Sequence, residues 1–117
     1  MNHKLQQARI KHISYKSKVR AVVYGVGGTG DDLLSEKNCA LGKWIDEIGL
    51  PEFSHFSEMK ALDKLHLDLH KTVYIIVDLC KNGRNNEAHN YLTKIEEISA
   101  GINNLLERID QRILAGE

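Results

Sequence analysis

The chain has 117 residues, 42% of them hydrophobic, and its 16 Lys and Arg are balanced by 16 Asp and Glu. That length supports one domain, residues 1–117, with a real core. The zero net charge excludes the basic footprint that nucleic acid or an anionic membrane would need.

The apolar pattern predicts an all-α fold. Leu5, Ala8, His12, Tyr15, Val19, Val22 and Val26 recur at steps of three and four, a core stripe on a helix over residues 3–25. Gly25 to Gly30 breaks it, and Asp31, Asp32 or Ser35 can cap a second helix. That second helix is short and carries Cys39, Leu41, Trp44, Ile45 and Ile48, with Gly49 and Pro51 ending it. Trp44 reads as its core anchor and Gly42 as the point of close helix approach. A third helix over residues 52–80 has the stripe Phe56, Met59, Leu62, His66, Leu69, Val73, Ile76 and Cys80. After the turn at Lys81-Asn82-Gly83, a fourth carries Ala88, Tyr91, Ile95, Ile98, Ile102, Leu105 and Ile109 at heptad-like spacing. Short connections between long amphipathic helices predict an antiparallel four-helix bundle, three long helices plus the short one with the cysteine. The run Ala21 to Val26 is too short to span a bilayer, and no charged segment precedes an apolar one as in a signal peptide. The expectation is therefore a cytoplasmic protein with no nucleic-acid or membrane partner.

Three histidines and one cysteine carry the chemistry. His66 and His70 stand at i and i+4, so a helix stacks both imidazoles on one face. A buried imidazole needs a partner for each ring nitrogen, and a metal ion satisfies one on each ring. His12 points inward from another apolar stripe. Cys39 sits near a helix N-terminus, which lowers a thiol pKa and favours the ligating thiolate. On a helical wheel, however, it lies nearly opposite the Leu41, Ile45 and Ile48 face, and a small buried hydrophobe is its alternative reading. One thiolate and three imidazoles suit a tetrahedral zinc ion, which makes His12, Cys39, His66 and His70 the candidate ligands. Two cysteines, Cys39 and Cys80, could pair once, but a lone structural disulfide is out of place in a reducing cytosol, and Cys80 reads as core.

Other patterns do not hold. Gly25-Val26-Gly27-Gly28-Thr29-Gly30 matches G-x-G-x-x-G, but no long helix and second strand come after it. His66-Leu67-Asp68-Leu69-His70 lacks the glutamate that a metalloprotease helix places beside its first histidine. Glu52-x-x-His55 and Asp63-x-x-His66 fall on one predicted helix, whereas a di-iron site draws such motifs from two. His3, His55 and His89 read as exposed and without a role.

The segment Cys39-Ala40-Leu41-Gly42-Lys43-Trp44, with His12-Ile13-Ser14-Tyr15-Lys16 upstream and His66-Leu67-Asp68-Leu69-His70 downstream, resembles the chemoreceptor zinc-binding (CZB) domain family. The family pattern is a first-helix His, Cys-x-x-Gly-x-Trp, and a His-x-x-x-His pair. The resemblance implies a four-helix bundle that binds one zinc through His12, Cys39, His66 and His70, with no open position for hydrolysis and hence no enzyme. It implies a sensory or regulatory role in chemotaxis or cyclic-di-GMP signalling, with zinc or oxidation of the zinc-bound thiolate as input. Partners would be a chemoreceptor or diguanylate cyclase signalling protein. This stretch contains neither a signalling hairpin nor a cyclase, so it reads as a stand-alone member or an excised domain. A homodimer is also implied, and Leu92, Leu106 and Ile113 supply apolar surface beyond the heptad stripe of the fourth helix. The alternative function is a structural or interaction bundle whose zinc only stabilises the fold.

Overall fold

The computed structural model of the chain describes residues 1–35 and 39–117. It is all-helical, with no strand among the described residues. Helix α1 spans His3–Val23, and the Asn2 side chain caps it by accepting from the Lys4 N–H at 2.9 Å. It stops where Gly25 takes φ +80°, so the stripe ends at Val22 and Val23. Val26, expected on that stripe, is instead 82% exposed, because it lies beyond the helix in the glycine loop.

A 3₁₀ turn, Asp31–Leu33, comes next and buries Leu33. The short helical region then runs without a break through α2 (Ala40–Trp44), a π turn (Ile45–Gly49) and α3 (Leu50–Phe53). Gly49 and Pro51 do not end it as their types suggest. The Leu50 N–H reaches back five residues to the Ile45 carbonyl, and Pro51 falls in the first turn of α3, where a missing N–H is tolerated. Trp44 is buried and stacks on Phe53 at 6.4 Å between ring centroids, the anchoring role expected of it.

The second long helix, α4, spans Ser57–Lys81 and starts later than expected, after a turn at residues 54–56. Gly83, at φ +74°, lies just past its end. The last region divides into α5 (Asn85–Asn90) and α6 (Leu92–Leu114). They meet at Tyr91, whose N–H donates to the Ala88 carbonyl three residues back, a tightened turn.

Leu5, Ala8 and Val19 of α1, Leu62, Leu69 and Ile76 of α4, and Ile95, Ile102, Leu106 and Ile109 of α6 are fully buried in one core with Leu41, Trp44 and Ile45. Burying each Leu or Ile contributes about 1.5–3 kcal/mol before entropy is counted. Leu106 therefore belongs to this chain's own core and is not surplus apolar surface, while Leu92 and Ile113 are half-buried against it. Polar pairs tie α1 to α6 along their lengths: the Asn2 N–H to Asp110 at 2.7 Å, Arg9 to Glu107 at 3.1 Å and Lys16 to Glu96 at 3.2 Å. Arg112 bridges α6 to Glu58 of α4 at 2.9 Å, and Lys4 pairs with Glu52. No helix among the described residues is long and apolar enough to cross a membrane.

Candidate metal centre

Each candidate ligand reaches the interior by a different local device. His66 and His70 lie one turn apart on the buried face of α4. His12 is fully buried on the core stripe of α1. Cys39 is buried too, but not as part of a helix: it is the extended residue just before α2, at φ −73° and ψ 128°. A helical wheel does not apply to it, which is why periodicity leaves its direction open.

Cys39, His66 and His70 come together, with one ligand atom from each within 4.8 Å of the others. The two Nε2 atoms of the histidines are 3.0 Å apart. Two nitrogens held roughly 2.0–2.1 Å from one tetrahedral ion lie about 3.3 Å apart, so the pair is close to ligating geometry. A thiol and imidazoles in a buried cluster form a borderline-soft donor set that suits zinc.

His12 stands next to this group without being part of that close set of three. Its Nε2 is 2.7 Å from Ser99 Oγ on α6, and its Nδ1 is buried with no hydrogen-bond partner. An orphaned ring nitrogen in a core is costly unless something accepts its lone pair. Burial holds His12 down at about 4, with Lys16 adding to the effect and Glu96 opposing it. Burial also holds His66 at about 4, reinforced by the neighbouring His70 and His12. Both therefore stay neutral near pH 7, the protonation state that can ligate a metal.

Two residues that sequence patterning does not single out surround the histidines. Ser99 is a buried hydroxyl against His12. Its one sequence signal is a polar side chain between Ile98 and Ile102 on an otherwise apolar face. Tyr15 donates its hydroxyl hydrogen to the Leu33 carbonyl at 2.7 Å, and the same oxygen lies 3.3 Å from His70 Nδ1. By periodicity it is only a stripe residue. A groove of about 520 Å³ between α1 and the Asp31–Leu33 turn reaches Cys39 and is lined in part by Ser14, Lys18 and Asp32.

The family model of the chemoreceptor zinc-binding domain (CZB) matches residues 12–77, more than half of the chain. The chain belongs to this family. The matched span begins at His12 and takes in Cys39, His66 and His70. Like the family, the chain is a zinc-binding domain, and the buried Cys39, His66 and His70 stand where a metal would be held. No curated protein and no solved structure matches it.

The remaining candidates have other places. His3, His55 and His89 are exposed, and His89 packs edge-on against Tyr24. Cys80 is half-buried rather than core, burial pushes its thiol pKa up, and it forms no disulfide with Cys39.

Proposed function

We propose that this CZB domain binds one zinc ion through His12, Cys39, His66 and His70 and uses it as the input element of a signalling protein. The observation that carries this is the Cys39, His66 and His70 cluster, with the partnerless Nδ1 of buried His12 beside it. Four protein ligands leave no position for a hydrolytic water, so the domain is not an enzyme. The polar pairs of α1 with α6, whose numbers rise on one helix as they fall on the other, support an antiparallel four-helix bundle formed by residues 1–117 as one domain. Its setting is the cytoplasm, and its output is chemotactic or cyclic-di-GMP signalling through a chemoreceptor or diguanylate cyclase, with homodimerisation.

The chemistry of the input lies at Cys39. Bound zinc would keep its sulfur as thiolate, the form that oxidants attack. Hypochlorous acid transfers oxygen to that thiolate, giving the sulfenic acid and chloride. The groove beside Cys39 offers a path for a small oxidant. Cys39 is the last residue before α2, so releasing its sulfur breaks no turn of a long helix.

The test is zinc per chain in wild type and Cys39→Ala, before and after hypochlorous acid. One zinc, weakened by Cys39→Ala and released by oxidant, supports a zinc–thiolate sensor. One zinc that resists oxidant restricts the input to zinc itself. Absence of zinc from purified, zinc-supplemented protein overturns the proposal.

A further inference from the structure

Tyr15 is buried one turn beyond His12 on α1, and its ring tilts against that of His70 at 5.2 Å between centroids. A phenol has a single hydrogen to donate. Here it goes to the Leu33 carbonyl at 2.7 Å. Toward His70 Nδ1, 3.3 Å away, the same oxygen can then only accept. The hydrogen of a neutral His70 is thereby placed on Nδ1. Its lone pair falls on Nε2, the nitrogen that faces His66 Nε2 at 3.0 Å.

We infer that Tyr15 is a positioning residue of the metal centre. It fixes the tautomer of His70 so that Nε2 is the donor turned toward the ion, and it ties that choice to the backbone at Leu33. Left alone, an imidazole divides its hydrogen between the two nitrogens, and a wrongly placed hydrogen must move before the metal can bind. Second-layer partners of this type typically change metal affinity by about 10–100-fold. The bond to Leu33 has a further effect. Leu33 is in the 3₁₀ turn, six residues ahead of Cys39 in the sequence, and Asp31 of that turn is held by Lys81 of α4. One hydroxyl thus joins the backbone of the 3₁₀ turn to the His70 ring.

This inference rests on the zinc-site proposal, and its test separates the two. Nitrogen-15 spectra of the histidine rings would be recorded on the full chain, stripped of metal, at about pH 8, where imidazoles are neutral. Zinc affinity would then be measured by competition with a chelating dye in wild type and Tyr15→Phe. In wild type, His70 should show a hydrogen on Nδ1 and a bare Nε2. Tyr15→Phe keeps the ring and removes the acceptor, so the two tautomers should mix and zinc affinity should fall about tenfold. A wild-type His70 with its hydrogen on Nε2 overturns the inference even if the variant fails to fold. So does a folded Tyr15→Phe with unchanged spectrum and affinity. Wild type that binds no zinc defeats the zinc-site proposal, while the spectra of the metal-free rings still decide the role of Tyr15.

Discussion

Cys39 matters because its neighbours leave its sulfur little else to do: it is buried, it caps no helix N–H, and two imidazole nitrogens lie within 4.8 Å. Replacing it with Ala should lower zinc affinity by at least about 100-fold, beyond the range of second-layer losses, as read by dye competition. The histidines predict a pH effect. His12 and His66 sit at about 4 in the folded chain, below the ordinary 6.5, chiefly because burial disfavours their charged forms. As pH falls through 6.5, the unfolded chain takes up protons that the folded chain refuses. The stability of the metal-free protein is therefore fully present above about pH 6.5 and declines toward pH 4, by on the order of 2 kcal/mol per histidine between pH 7 and 5. A fall in the urea midpoint over that interval would show it, and a flat profile would contradict it. Spacing and inward position make the histidines legible in the sequence. Nothing there aims Cys39, because an extended residue ahead of a helix follows no helical period. Tyr15 and Ser99 stand in the sequence as members of core faces, but their roles come from contacts across 18 and 87 residues of chain, which no local pattern encodes.

Among the elements, the three long helices are legible because each repeats its apolar contacts many times. The short region between them is not. It has few turns, and Gly49 and Pro51 look like terminators where the chain continues through a π turn. Gly49 is there for space: a Cβ would come within 2.7 Å of Met59 Cε and 2.8 Å of the Trp44 ring. Met59 can swing, but the buried Trp44 ring stacked on Phe53 cannot easily move. Gly49→Ala should therefore destabilise the fold by about 1–3 kcal/mol in urea unfolding. Gly101 in α6 provides the contrast, since a Cβ there would meet only the end of the Leu65 side chain, at 2.9 Å. Alanine is the better helix former by roughly 0.5–1 kcal/mol, so Gly101→Ala should come out near neutral.

At the scale of the whole molecule, a body with extents of 50 × 23 × 19 Å is held by a long apolar core, of which the histidine cluster occupies one part. Leu5, Leu62, Ile102, Leu106 and Ile109 are fully buried in that apolar core. Chelation should then leave most of the helical circular dichroism in place while the rate of Cys39 alkylation rises. Complete loss of helicity would instead show the metal to be part of the fold itself. The meeting of Cys39 with His66 has a consequence in mass action. An ion shared by them fastens a loop of roughly 27 residues, the one that contains the π turn and Pro51. Unlike a disulfide, such a clasp lets go when the chain unfolds, so it leaves the freedom of the unfolded chain unchanged and stabilises the folded one by mass action, about 2.7 kcal/mol when free zinc stands at 100 times its Kd. The same tie that reports the metal would then set how often this stretch of the protein comes apart.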